Sequence, residues 1–129
     1  MTPPLVFFLA DDDEDDRMLF EEALAEVDKK IRCITVKNGR EALDVLQNEM
    51  VLLPDYIFLD LNMPMLNGLQ CLAELKKIEL LQHIPVIIYS TSSDKDSMEE
   101  SKRLGAIDFF VKPSNFTGLK NYLQKFAPH

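Results

Sequence analysis

Positive charge is scarce in this chain. Lys and Arg number 14 against 22 Asp and Glu, a formal net charge of -8 over 129 residues. A surface that grips a nucleic-acid backbone needs clustered cations, so direct nucleic-acid binding is not expected. Cysteine is nearly absent. Cys33 and Cys71 have no CxxC or Cys/His ligand spacing and each sits in an apolar periodic stretch, which reads as small core-filling thiols in a reducing compartment. Long apolar runs are missing too: nothing approaches the roughly 18 residues of a membrane span. The run at 5–10 has no basic residue before it and six acids directly after it, unlike a secretory leader. A cytoplasmic protein without membrane insertion is the expectation. Repeats, low-complexity tracts and linkers are likewise lacking, and the length fits one domain, 1–129, with a core over about 5–126.

The order of apolar segments carries the fold. Short apolar runs at 5–10, 31–36, 56–59, 86–89 and 106–111 alternate with longer amphipathic stretches, the order required by a parallel sheet with crossover helices. Helices are predicted over 15–27, 39–48, 68–79 and 94–104, with a fifth after Ser114 as its cap. The first presents Met18, Leu19, Ala23, Leu24 and Val27 on one face; the fifth turns Leu119, Tyr122, Leu123 and Phe126 towards the sheet. Gly105 fits the stop position of the fourth. Five such units predict an α/β doubly wound parallel sheet of three layers with right-handed crossovers, and such sheets bind ligands outside the carboxyl ends of their strands.

Asp11, Asp12, Asp60, Ser90, Thr91 and Lys112 all fall at predicted strand carboxyl ends. Separated by about a hundred positions in sequence, they are expected to meet in one pocket. Three acids beside one ammonium group suit a divalent cation and an incoming phosphoryl group, because phosphoryl transfer depends on positioning and charge neutralisation. Each residue alone has a plainer reading: Asp60 as a turn or cap, Lys112 as a surface charge, Ser90 as a satisfied strand terminus. Asp13, Glu14, Asp15 and Asp16 are read as a solvated helix start, favoured by the helix dipole.

These motifs resemble the receiver domain of two-component response regulators. They are an acidic pair after strand one, D-x-x-M-P-x-x-x-G from Asp60 to Gly68, a hydroxyl residue ending strand four and Lys112-Pro113 ending strand five. The resemblance runs from Leu5 to Phe126 and implies the flavodoxin-like strand order 2-1-3-4-5. It implies Asp60 as phosphoacceptor, with Mg²⁺ held by Asp12, Asp60 and the carbonyl of Asn62, Asp11 acting through water, and Mn²⁺ able to substitute. Lys112 and Ser90 would each meet a phosphoryl oxygen. The Lys112-Pro113 bond is expected to be cis, Pro64 to shape the loop, and Gly68 to allow a backbone conformation or close approach that a side chain would hinder. Asn62 and Ser92 stand where the family adjusts phosphoryl lifetime.

In the family, Ser90-type movement accompanies rotation of an aromatic residue three before the lysine. Here that residue is Phe109, where tyrosine is common. The implied donor is a sensor histidine kinase or phosphotransfer protein, since His83 and His129 lie in no phosphohistidine motif. The output is binding of another protein at the face of helix four, strand five and helix five, with a homodimer as a further possibility. Only 17 residues follow Lys112, so a stand-alone receiver without output domain is expected. The STSSD stretch and acidic first helix resemble stand-alone receivers paired with sensor kinases, some of photoreceptor type.

Two other classes compete. Asp11, Asp13, Asp15 and Glu22 occupy positions one, three, five and twelve of an EF-hand-like calcium loop, although Asp16 stands where glycine is expected at position six. A magnesium-dependent phosphatase acting on exogenous substrate would use Asp60 as a transient nucleophile, but no segment supplies a substrate cap.

Overall fold

The computed structural model describes residues 4–48 and 53–127. Five strands alternate with five helices: β1 Val6–Ala10, α1 Glu14–Val27, β2 Arg32–Val36, α2 Gly39–Leu46, β3 Tyr56–Asp60, α3 Gly68–Leu75, β4 Val86–Ser90, α4 Lys95–Arg103, β5 Asp108–Val111 and α5 Phe116–Gln124. All pairings are parallel and the sheet order is β2-β1-β3-β4-β5. The chain thus winds outward from β1 in both directions, and the crevice at the carboxyl ends of β1 and β3 lies where the winding reverses.

Burial explains why the central strands are unbroken apolar runs. Every residue of β1 (VFFLA) and β4 (VIIYS) is buried, whereas the edge strands β2 and β5 are only partly so, as expected when helices cover both faces of a parallel sheet. Alternate side chains feed two cores. Phe8, Ala10, Ile57, Leu59, Val86 and Ile88 meet α2 and α3 through Ala42, Leu43, Leu46, Cys71, Leu72 and Leu75. Phe7, Leu9, Phe58, Ile87 and Tyr89 meet α1 and α5 through Phe20, Ala23, Leu24, Leu119, Tyr122 and Leu123. Phe58 anchors the second core: its ring lies 5.0 Å from Phe20 and 5.9 Å from Phe126, both edge-on. Contacts of this type add ~0.5–1.5 kcal/mol each beyond area burial.

Capping sets most helix starts. Asp13 caps α1, Asn38 caps α2, Asn67 forms a capping box with Gln70 on α3, and Asp94 caps α4. The fifth helix is capped by Asn115 rather than Ser114; its side chain accepts from the Gly118 N–H at 2.7 Å. Gly105, with φ 100°, occupies the left-handed position just beyond the C-cap of α4.

The inward face of α1 differs from the sequence expectation. Phe20, Ala23 and Leu24 are buried, while Met18 and Leu19 are 52% and 43% exposed. A fully apolar Phe20 sets the helix phase, and Met18 and Leu19 are turned outward by it. The third helix stops at Leu75 rather than 79, and the second at Leu46 rather than 48. After α3 the Lys76 amine donates to the carbonyl of Gln82 at 3.1 Å, closing a run of turns. Cys71 is buried and Cys33 half-buried, both free, and burial pushes each thiol up to about 12. Among the described residues no helix is long and apolar enough to cross a membrane.

Candidate functional site

Sheet register brings the dispersed acids together. The Asp11 N–H donates to Val36 O at 3.0 Å, continuing the β1–β2 ladder one residue past Ala10, so the fully buried Asp11 side chain is fixed at the strand end. Its Oδ1 accepts from the Asp13 N–H at 2.9 Å, and its carbonyl accepts from Arg17 Nη1 at 2.7 Å. Asp60 is the last residue of β3, with a side chain only 7% exposed. Its Oδ1 accepts from the Asn62 N–H at 3.3 Å. Asp12 is exposed at the mouth. Carboxylate oxygens of Asp11, Asp12 and Asp60 all lie within 4.8 Å of one another.

The cationic wall comes from β5. The Lys112 N–H donates to Ser90 O at 2.7 Å, locking the residue after β5 to the end of β4. Its stem passes Tyr89, with Nζ 4.9 Å from the ring centroid, and Nζ reaches Asp11 Oδ2 and Asp16 Oδ2 at 2.8 Å each and Asp60 Oδ2 at 3.5 Å. Ser90 is completely buried and its Oγ accepts from the Ser92 N–H at 3.0 Å. Thr91, by contrast, is exposed.

One ammonium group faces three acids, and the imbalance falls on Asp60. Burial, then repulsion from Asp11, pushes its carboxyl up to about 7, against the smaller opposing pulls of Lys112 and the Asn62 N–H. Burial alone would lower the Lys112 amine, but hydrogen bonds to Asp11 and Asp16 and the charges of Asp11 and Asp60 raise it well above the ordinary lysine range. The site therefore holds a permanent cation on one side and an unneutralised acid cluster on the other. Three hard oxygen donors packed this closely fit a divalent cation of the magnesium or manganese kind. Asn62 is tied to the cluster through its N–H.

Three expectations change here. Asp16 is no solvated helix-start acid: it is bonded to Lys112. Nothing in the local sequence sets it apart from the neighbouring acids Asp13, Glu14 and Asp15. The Lys112-Pro113 bond is trans, because no cis peptide occurs among the described residues. Trans is the intrinsically favoured form, and the lysine already reaches the pocket through its β4 hydrogen bond. Finally, α1 begins at Glu14, so Asp15 and Glu22 lie within a helix and cannot wrap a calcium ion as an EF-hand loop does.

Gly68 and Phe109 complete the surroundings. The Gly68 N–H donates to Leu61 O at 3.1 Å, pinning the start of α3 beneath Asp60, while the exposed Met65 in the intervening loop has φ 69°. Pro64 O accepts from the Leu66 N–H at 2.7 Å, shaping that loop. Phe109 is half-buried against the first core and borders a groove of about 360 Å³ between α4 and β5, with Met98, Ser101, Lys102 and Ile107. Phe110 points the other way and stacks on Tyr122 at 3.5 Å.

Known proteins resemble this chain in sequence and fold. The chain is 34% identical over 91 residues to the sporulation initiation phosphotransferase F of Bacillus subtilis, covering 70% of this chain and 69% of that protein. It is 32% identical over 126 residues to response regulator Rcp1 of a Synechocystis strain, covering 95% and 86%. The phosphorylated cyanobacterial phytochrome response regulator RcpA superposes with a TM-score of 0.86 at 32% identity, covering 95% of this chain and 90% of that one. The Mn²⁺-bound form of Rcp1 gives 0.84 at 31% identity, with 95% and 91% covered. Other relatives are matched only in part: the chain spans 22% of a protein-glutamate methylesterase/protein-glutamine glutaminase of Methanococcoides burtonii. Residues 7–124 match the response regulator receiver domain, and with this fold and this acidic pocket the chain belongs to that family of two-component signalling proteins.

Proposed function

We propose that Asp60 accepts a phosphoryl group from a sensor histidine kinase or a histidine phosphotransfer protein, in a reaction that needs Mg²⁺ and tolerates Mn²⁺, and that the modified protein signals by binding another protein. The observation that carries this reading is the position of Asp60: a nearly buried carboxylate at a strand end, within 4.8 Å of Asp11 and Asp12 and 3.5 Å from the Lys112 amine.

Asp11, Asp12 and Asp60 would hold the cation, with Asn62 beside them, and the cation would neutralise charge on the transferred group when bound. An Asp60 oxygen attacks phosphorus in line; the new O–P bond forms as the P–N bond to the donor imidazole breaks, and the imidazole keeps that electron pair and takes a proton. Lys112 supplies a fixed positive charge to one equatorial oxygen and the Ser90 hydroxyl a hydrogen bond to another.

The phosphoryl group adds charge that can recruit ~1–3 charge-assisted hydrogen bonds. Shifting a two-state element from one to ninety-nine per cent takes ~5.5 kcal/mol, within reach of Ser90, Lys112 and backbone amides acting together. Ser90 and Phe109 are the switch residues in this reading. The groove between α4 and β5, with α5 beside it, is the output face, and a homodimer is a further assembly it permits. Phe109 has no hydroxyl with which to fix its rotamer, so the aromatic part of the switch rests on packing alone.

Stand-alone action as one receiver domain, in the manner of Rcp1, is part of the proposal, as are a cytoplasmic setting and the absence of turnover on exogenous substrates. The test is incubation with acetyl phosphate and Mg²⁺ followed by intact mass measurement. One phosphoryl group should appear on the natural protein and none on Asp60→Asn; equal modification of both places the acceptor elsewhere.

A further inference from the structure

The Lys112 ammonium group has three N–H donors, and the structure accounts for each. Two make hydrogen bonds of 2.8 Å, to Asp11 Oδ2 and Asp16 Oδ2. The third side of the group faces Asp60 Oδ2 at 3.5 Å, too long for a hydrogen bond. Two anchors fix the tetrahedral nitrogen, and the remaining donor is directed at the acceptor carboxylate and at the space a phosphoryl oxygen on it would enter.

The two anchors are not equivalent. Asp11 also belongs to the acid cluster with Asp12 and Asp60, so its charge is shared with any cation bound there. Asp16 stands outside that cluster, in the first turn of α1, with a side chain 31% exposed and Lys112 as its side-chain partner. The helix turn that carries it is itself held in place. Asp13 caps it by accepting from the Asp16 N–H at 2.9 Å, and the next residue, Arg17, donates from Nη1 to the Asp11 carbonyl at 2.7 Å. On the far side the lysine stem is confined by the Tyr89 ring and by Pro113 and Phe116, which line a small cavity with Asp16.

The geometry points to Asp16 as a positioning residue for phosphoryl acceptance: from α1 it holds the Lys112 ammonium group so that the free donor stays aimed at Asp60 when Asp11 is drawn towards a cation. The inference rests on Asp60 being the phosphoacceptor. It adds a residue of α1 to a site otherwise built from strand ends and the segments that follow them, so that displacement of α1 would be felt at Lys112.

The test measures the rate of phosphorylation by acetyl phosphate at saturating Mg²⁺, as a function of donor concentration, by intact mass. The natural protein is compared with Asp16→Asn, Asp16→Glu, Lys112→Gln and the double variant Asp16→Asn/Lys112→Gln. Asp16→Asn should lower the limiting rate on the order of tenfold, less than the ~100-fold cost of a 1 Å misplacement because Asp11 still holds one donor. The half-saturating donor concentration should change little. Asp16→Glu keeps the charge and should recover most of the rate. On the Lys112→Gln background Asp16→Asn should have no further effect, since residues acting through one partner are not additive. A merely structural Asp16 would slow both backgrounds equally.

An Asp16→Asn protein that phosphorylates at the natural rate, or a second loss of equal size on the Lys112→Gln background, overturns the inference while leaving Asp60 as acceptor. Failure of the natural protein to gain a phosphoryl group, or equal gain by Asp60→Asn, overturns the acceptor reading and this inference with it. Asp13 and not Asp16 caps α1, so Asp16→Asn leaves the helix cap in place, and a melting curve for each variant ensures that the rates compare folded proteins.

Discussion

Gly68 packs directly against the backbone of Asp60. A Cβ on Gly68 would lie 2.4 Å from the Asp60 carbonyl oxygen, closer than side-chain carbons approach, and 3.0 Å from its carbonyl carbon. The start of α3 therefore sets how far the strand that carries Asp60 can extend. Close approach, rather than an unusual backbone angle, is what demands glycine here.

Gly68→Ala should accordingly destabilise the protein by ~1–3 kcal/mol, the usual cost of overpacking, less up to ~1 kcal/mol regained from helix propensity. It should also slow phosphorylation of Asp60, because the carbonyl that must move belongs to that residue. Urea unfolding and the acetyl phosphate assay check both. A variant as stable and as fast as the natural protein would show that α3 shifts freely.

Proton binding at Asp60 should make the metal-free protein lose stability as pH rises. Its folded-state value of about 7 lies above the ordinary 3.8. Between those values the folded protein keeps the proton that the unfolded chain has released, so stability falls with rising pH across that window and levels off above it. Below 3.8 both states are protonated and the contribution is complete. Asp60→Asn removes the effect. In chelator, the variant should match the natural protein near pH 4 and exceed it near pH 8 in urea midpoint; a constant difference would contradict the cause assigned to the shift.

Divalent cations should reverse this penalty. Saturating Mg²⁺ is expected to raise the melting temperature more at pH 8 than at pH 5, since protons compete for Asp60. One site filled at 100 times its dissociation constant adds ~2.7 kcal/mol. Asp12→Ala, at an exposed position, should abolish the response without harming the metal-free fold. Mn²⁺ should behave likewise. No response in the natural protein would mean that the acid cluster serves another purpose.

Ser90→Ala should separate modification from response. The residue is buried and its Oγ holds the Ser92 N–H at 3.0 Å. The variant should still accept a phosphoryl group, while phosphorylation no longer changes amide hydrogen exchange in α4 and β5. Phe109→Tyr should enlarge that change relative to the natural protein, because a hydroxyl at the rim of the α4–β5 groove can pair in one rotamer and not the other. Unaltered exchange profiles in both variants would place the switch elsewhere.

Much of the architecture was legible in the sequence. The alternation of apolar runs with amphipathic segments gives the element order, since unbroken apolar strands such as VFFLA and VIIYS occur where helices cover both faces of a sheet. The acids, hydroxyl and lysine following those runs mark a site at the strand ends. Local signals failed where longer-range packing decides: α1 is phased by burial of Phe20 rather than by Met18 and Leu19. The cap of α5 falls on Asn115, one residue past Ser114, where its side chain can reach the Gly118 N–H.

By itself, then, the sequence determined which chemical groups stand at the ends of which strands, because strand and turn preferences are local. Only the tertiary structure decided how those groups share charge. Asp16 and Lys112 are 96 positions apart, and no periodicity links them. Their pairing and the elevated Asp60 carboxyl arise only when α1, β3 and β5 are packed at fixed separations, since electrostatic interaction depends on distance and burial and not on order along the chain.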